Sequence, residues 1–300
     1  MLWYLQSYTV SGGDNMLTNN YLAVLVFQLK LHIKCTHEKD YLVVDDTYHK
    51  QIQRCIEIIK ETNPDIVVFP EMSATKEYAD TMLELSKTGK LIVFGSIYAG
   101  TTNYTTIYQN GELYLIAKRF PCGSEPMVRF APKITPNEFI KDYLHEHEFH
   151  VKGNKIYILN CLEYYETAYL IARDAELSKN LFGFIVPCSN SNPTVFMDES
   201  RAIHNHNEYI YSFVANRIRG DETNRYGRSY IFGPIQYHEK DWMKEEGIES
   251  LEHNASILTL DKDTPSFAYG KYAIGSEISR FGRSDNYLNT PCGVVVKNLL

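Results

Sequence analysis

The sequence lacks a CxxC cysteine pair, an excess of positive charge, a membrane-length apolar run, and any linker, repeat or low-complexity segment. Each absence narrows what the chain can be. Its six cysteines, at 35, 55, 122, 161, 188 and 292, form no metal-type pair and no dense framework, which points to reduced thiols in a cytoplasmic setting. Thirty basic against thirty-seven acidic side chains leave a formal charge of -7, so no overall field attracts phosphate backbones and nucleic acid is not an expected ligand. No stretch approaches the roughly 20 apolar residues of a membrane helix. The opening MLWYLQSYTVSGGDN has neither the basic start nor the apolar length of a signal peptide, so a soluble protein without membrane association is expected.

What is present is an apolar share of 44% over 300 residues, enough for a sizeable core. The first periodic element begins near Tyr21, and residues 1–20 read as an extension, a late start before Met16, or the scar of excision from a longer chain. YLAVLVFQLKL reads as a strand, and DDTYHKQIQRCIEIIKETN as a helix capped at Asp46 or Thr47 with Tyr48, Ile52, Cys55, Ile56 and Ile59 on one face. A helix over Tyr78 to Ser86 leads to the strand KLIVFGSIYAG. YTTIYQNGELYLIAKRF is a hairpin turning at Asn110-Gly111. An irregular stretch from Pro121 to about His150 follows, then the strand NKIYILNC, a helix near Thr167 to Ser178 and the strand LFGFIVPCS. A helix over about Asp198 to Asn207 and the strands EYIYSFVAN, RSYIFGP and ASILTLD precede a weakly patterned tail from about 263. This order fits one α/β domain over 21–300, with helices packed outside a mixed sheet layer.

Three chemically capable residues each close a strand. Glu71 follows the four-residue apolar run Ile66 to Phe69 and Pro70, at the carboxyl end where open α/β sheets bind ligands. Lys118 ends ELYLIAK, where an ammonium can hold developing negative charge or simply guard an exposed edge. Cys161 ends YILNC just before a helix, where free backbone N–H groups favour a thiolate. Each has a bland alternative: a solvated turn acid, an edge lysine, a structural thiol. Together they supply a base, a cation and a nucleophile, the set that amide chemistry on a mostly protonated thiol requires.

At these residues the chain resembles the nitrilase, or carbon-nitrogen hydrolase, superfamily. DIVVFPEM looks like that family's glutamate motif, YLIAKRFPCGSE like its lysine motif and GNKIYILNCLEYYE like its Gly-to-strand-to-Cys-x-Glu motif; VFQLK, GSIYAGTTNYTTIYQNGELY, RAIHNHNEYIYSFVAN and GRSYIFGP agree with them in order and spacing. The likeness runs from residue 21 to about 262. It implies an αββα sandwich, often paired as a homodimer or higher oligomer, that cleaves a non-peptide C–N bond through a thioester. In that pattern Glu71 is the general base, Lys118 the oxyanion stabiliser, Cys161 the nucleophile and the Leu162 N–H a second oxyanion donor. Glu125 matches a further family glutamate that holds the lysine and the substrate. The expected partner is a small amide, carbamoyl compound or nitrile, with no cofactor and no metal. The segment Pro126 to His150 and the run CLEYYETAY depart from the family pattern where it shapes the substrate pocket. KRFPCGSE is similar to the lysine loop of apolipoprotein N-acyltransferases. Acyl transfer by the same three residues, or a regulatory or scaffold module of a larger protein, are therefore the alternatives to hydrolysis.

The remaining signals read blandly. HEHEFH, with His145, His147 and His150, reads as a solvated loop before it reads as a metal site. HNH at 204–206 is not a nuclease signature, because on a helix its two histidines face apart. Arg217, Arg219, Arg225 and Arg228 either grip a substrate carboxylate or are solvated. Tyr164 and Tyr165 line a pocket or pack in the core. Cys188 reads as structural, since no acid–lysine pair is left to serve it.

Overall fold

The computed structural model describes residues 21–35, 41–43, 47–100, 102–120, 134–207, 210–220, 226–233, 248–250, 257–274 and 295–300. The chain opens with β1 (Tyr21–Gln28), the short strands β2 (Lys30–Leu31), β3 (Ile33–Cys35) and β4 (Tyr41–Val43), and helix α1 (Tyr48–Thr62). Next come β5 (Ile66–Val68), a 3-10 turn at Lys76–Tyr78, α2 (Ala79–Ser86), β6 (Leu91–Ala99), β7 (Thr102–Gln109) and β8 (Glu112–Ala117). Helix α3 (Pro136–Asp142) and a 3-10 turn at Leu144–His147 lead to β9 (Glu148–Val151), β10 (Asn154–Ile158), α4 (Leu162–Arg173), β11 (Leu181–Cys188) and α5 (Pro193–His206). The remainder is β12 (Tyr211–Asn216), β13 (Ile218–Arg219), β14 (Tyr230–Phe232), β15 (Ile248–Ser250), β16 (Ile257–Leu260), β17 (Ser266–Ala273) and β18 (Val295–Asn298).

Among the described residues two seven-stranded mixed sheets carry the fold, one ordered β18-β17-β1-β5-β6-β7-β8 and the other β15-β16-β14-β12-β11-β10-β9. Both faces of the central strands are apolar, as strands sandwiched on two sides must be. In β1, Leu22, Val24 and Val26 enter a core shared with Ile158, Ile185 and Phe213 of the other sheet, while Leu25 and Phe27 pack with Ile52, Cys55 and Ile59 of α1. Tyr164, Ala168 and Ile171 of α4 cover the far side of the second sheet with Phe196 and Ile203 of α5. The layers are thus helix, sheet, sheet, helix: the αββα sandwich.

Several elements differ in detail from the sequence reading. Thr47 stands at the α1 N-cap, but its hydroxyl accepts from Gln51 Nε2 at 3.1 Å instead of from a backbone N–H; Asp46 lies outside the described residues. Asn110 and Gly111 both take positive φ, 53° and 77°, as the primed turn of the hairpin demands. The stretch read as irregular contains α3, whose start carries a full capping box between Thr135 and Glu138 with Pro136 in its first turn. The helix after Cys161 begins at Leu162, five residues earlier than the expected start at Thr167. The tail contributes β17, paired antiparallel with β1 from Tyr21↔Ala273 to Gln28↔Ser266, and β18 beyond it.

Candidate active site

Glu71 owes its position to a tightly bonded turn. Phe69 N–H still donates to Val93 at 2.9 Å, but Pro70 has no N–H and the strand stops there. Ser73 Oγ donates to the Pro70 carbonyl at 2.7 Å, and Met72, at φ 66°, donates its N–H to Ser96 Oγ at 3.1 Å. The turn lies so close to β6 that a Cβ at Gly95, itself at φ +73°, would run into the Pro70 carbonyl oxygen and Ser73 Oγ. Glu71 is 2% exposed. It is not a solvated turn acid.

Lys118 reaches Glu71 from beyond the edge strand β8 of the same sheet. Although Glu112 to Leu115 of β8 are exposed, Lys118 points inward, 1% exposed, with its N–H on the Asn103 carbonyl at 2.8 Å. Its Nζ donates to Glu71 Oε1 at 2.9 Å, and Asn103 Nδ2 donates to the same oxygen at 2.8 Å. A buried ammonium and carboxylate are tolerable only with such pairing and added hydrogen bonds. Asn103, fully buried on β7, is a site residue that sequence reasoning passed over, although it sits within the quoted stretch before the lysine.

Cys161 occupies a strained elbow between β10 and α4, at φ 51° and ψ -106°. For a residue with a Cβ this is a sparsely populated conformation, of the kind that clusters at functional sites. The parallel ladder persists to the elbow: Leu159 N–H donates to Ile185 and Cys161 N–H to Pro187, both at 3.0 Å. Glu163 N–H and Tyr164 N–H then bond back to the Asn160 and Cys161 carbonyls, a turn in which Leu162 N–H takes no part. Glu163 is fully buried and accepts from two peptides, Asn160 N–H at 2.9 Å on Oε2 and Arg119 N–H at 2.6 Å on Oε1. The glutamate of Cys-x-Glu thereby straps the peptide before Cys161 to the peptide after Lys118. Asn160 Nδ2 adds a second tie, to Thr105 Oγ1 of β7 at 2.9 Å.

Cys188 joins these groups. The β10–β11 register pairs Ile158 with Ile185, and three further residues bring Cys161 beside Cys188. Burial, followed by a hydrogen bond to the Cys161 thiol and the charges of Cys161 and Glu71, pushes the Cys188 thiol well up from its ordinary value; Lys118 opposes the rise. Glu71 N–H donates to the Cys188 carbonyl at 3.3 Å. The premise that no acid–lysine pair reaches Cys188 therefore does not hold, since the thiol shares its surroundings with Glu71, Lys118 and Cys161. Adjacent parallel strands with the offset of 27 residues between the two cysteines were the signal for it.

The other sequence candidates are distributed as follows. Glu125 lies outside the described residues, as do Cys122 and Cys292. Cys55 is buried on the core-facing side of α1. His147 is buried, not solvated, with Nδ1 on the Ile158 carbonyl at 2.8 Å; no group of three metal-ligating side chains occurs among the described residues. His204 meets Phe232 and His206 meets Tyr169, both edge to face. Arg217 Nε donates to Ser189 Oγ at 2.6 Å and its guanidinium lies over Tyr226, as does that of Arg219; Arg225 lies outside the described residues. Tyr164 is a core residue tied to Ser200 and Ser212 at 2.7 and 2.8 Å, whereas Tyr165 is 40% exposed. No helix among the described residues is long and apolar enough to cross a membrane.

Comparison with known proteins bears on the fold. No family model matches the sequence, and no curated protein does. Among solved structures, a double mutant of the amidase from Nesterenkonia sp. AN1 in complex with acrylamide superposes with a TM-score of 0.51 over 90% of this chain and 94% of its own, at 11% identity. The NitFhit protein of C. elegans superposes with a TM-score of 0.55 over 91% of this chain and 67% of its own, at 14% identity. At these identities the likeness establishes a shared architecture, the nitrilase fold.

Proposed function

We propose that this nitrilase-fold chain is a cysteine-dependent amidohydrolase that cleaves a non-peptide C–N bond of a small amide or carbamoyl compound. The observation that carries the reading is the buried Lys118–Glu71 pair at 2.9 Å, which adjoins, through Cys188, a strained Cys161 at the start of a helix. Cys161 Sγ attacks the carbonyl carbon while Glu71 takes the thiol proton. Lys118 Nζ and the Leu162 N–H hold the oxyanion of the tetrahedral adduct. Collapse transfers the proton from Glu71 to the departing amine and leaves a thioester on Cys161. Glu71 then activates water, whose attack releases the acid and restores the thiol. Glu125 is assigned to this site as a second carboxylate beside Lys118, aligning the substrate amine. Asn103 holds Glu71 in place through its bond to Oε1.

Intact-protein mass spectrometry after incubation with a panel of amides, carbamoyl amines and nitriles tests the reading. The expected result is an acyl adduct that maps to the Cys161 peptide, is absent from Cys161→Ala, and disappears with release of free acid. Diversion of the acyl group to an added amine, in preference to water, would reassign the chain to acyl transfer. Full turnover by a folded Cys161→Ala protein would overturn covalent catalysis at this residue.

A further inference from the structure

The cluster holds one thiol more than the proposed chemistry uses. Cys188 is 1% exposed and Cys161 7% exposed, and the β10–β11 register, continued three residues past Ile158 and Ile185, sets them side by side. They sit at the ends of adjacent parallel strands, in a ladder that continues through Cys161 N–H to Pro187. Neighbouring strands are about 4.8 Å apart, within the roughly 4.4–6.8 Å Cα separation that a disulfide spans. Both cysteines are free.

We infer that Cys161 and Cys188 form an oxidisable pair in which Cys188 is the resolving thiol: a hydroperoxide oxidises Cys161, and the two sulfurs then close a reversible disulfide. The inference rests on the reading above in taking Cys161 as the reactive thiol. In the first step the Cys161 sulfur attacks one peroxide oxygen, the O–O bond breaks, and Cys161 sulfenic acid and water, or an alcohol, are formed. In the second, the Cys188 sulfur attacks the sulfenic sulfur, the S–O bond breaks, and the Cys188 proton leaves with the hydroxide as water. The two thiols lose two electrons in total, and the peroxide gains them. Burial keeps Cys188 protonated, so it does not compete for an acyl substrate, and the nearby Glu71 carboxylate can carry its proton to the leaving hydroxide. Without a neighbour to condense with, a sulfenic acid goes on to the irreversible sulfinic acid. The second thiol therefore preserves the nucleophile under oxidation.

The test uses the full chain, treated with hydrogen peroxide, alkylated with iodoacetamide in denaturant and digested for peptide mapping. The expected product is a Cys161–Cys188 linked peptide, about 2 Da lighter than the two free peptides together, which dithiothreitol separates again. In Cys188→Ser and Cys188→Ala, the Cys161 peptide is expected instead to gain about 32 Da as the sulfinic acid, and dithiothreitol does not reverse it. Cys161 of the wild-type chain passing to sulfinic acid with no linked peptide would overturn the inference, and needs no variant to fold. A linked peptide from a chain whose Cys161 forms no acyl adduct would sink the hydrolase reading while leaving the disulfide standing.

Discussion

Lys118→Met removes the ammonium from a pair whose side chains are 0% and 2% exposed, leaving a methylene stem of similar volume. At 2.9 Å and an effective dielectric near 20, the gross attraction between the two charges is about 6 kcal/mol. Part of that offsets the cost of bringing both charges out of water, so the quantity to measure is the loss on breaking the pair. The variant keeps the Asn103 bond to Glu71 Oε1 but leaves the buried carboxylate without its cation, a change that costs about 3–5 kcal/mol. For a domain stable by roughly 5–15 kcal/mol, a clear fall in the urea midpoint at neutral pH follows. Glu71→Gln should cost a similar amount by stranding the ammonium, and the double variant Glu71→Gln/Lys118→Met much less than the sum of the two. The four proteins form a double-mutant cycle by urea denaturation followed by circular dichroism. A loss below about 1 kcal/mol for Lys118→Met would be the behaviour of a surface pair and would refute the placement of these charges inside the sandwich; additive losses would refute their direct contact.

Two further outcomes follow, one from the turn that carries Glu71 and one from a half-buried carboxyl on α5. Gly95→Ala places a Cβ against the Pro70 carbonyl and Ser73 Oγ at φ +73°, whereas Gly89→Ala, at φ +84°, meets nothing within 4 Å; both incur about 1–2 kcal/mol of backbone strain, but only Gly95→Ala should also lower kcat by moving Glu71. Equal activity in the two variants would contradict this account of the turn. Glu199 accepts the Tyr169 N–H at 3.0 Å, and burial raises its carboxyl pKa above the ordinary value. The folded state therefore binds that proton more tightly than the unfolded chain, and stability falls as pH rises from the ordinary value through the raised one. Glu199→Gln should accordingly gain stability over wild type at neutral pH and lose that gain below the carboxylate range; thermal denaturation at several pH values measures it, and a gain confined to acid pH would reverse the argument.

Much of this architecture was legible because the relevant signals are local. Ile66 to Phe69 announce a strand buried on both faces, Asn110-Gly111 a hairpin, and Glu71, Lys118 and Cys161 all fall where periodic segments stop. What escaped is what depends on neighbours in space. In Ser266–Ala273 the alternation is diluted by Ala268 and Gly270, residues that pack well only because β1 lies beside them. α3 escaped for a different reason: Thr135-Pro136-Asn137-Glu138 is a legible capping signal, but the seven-residue helix is too short for a periodic pattern. Cys188 and Asn103 look ordinary in one dimension, and Glu163, though part of the Cys-x-Glu motif, gives no sign there of the peptides it ties. They acquire meaning from strand register, which brings residues 27, 32 and 44 positions from their partners into contact.

Glu71 and Lys118 belong to one sheet, Cys161 and Cys188 to the other. The aliphatic layer between the sheets, Val24, Val68, Ile158 and Ile185 among it, sets how far apart they stand, but apolar contact has no preferred direction and resists sliding poorly. Around the four groups, lateral alignment is held by directional bonds, Glu71 N–H to the Cys188 carbonyl, Asn160 to Thr105 and Glu163 to the Arg119 N–H, and farther off by Ser229 N–H to Gln28, Gln109 to His150 and the β2–β13 ladder. These act as dowels between two smooth plates. A shear of one sheet over the other by an ångström or two would leave both sheets and their helices intact, yet part the acid and the cation from the thiols. Neither plate holds all four groups, so the proposed chemistry would test the alignment of the sandwich more severely than folding does.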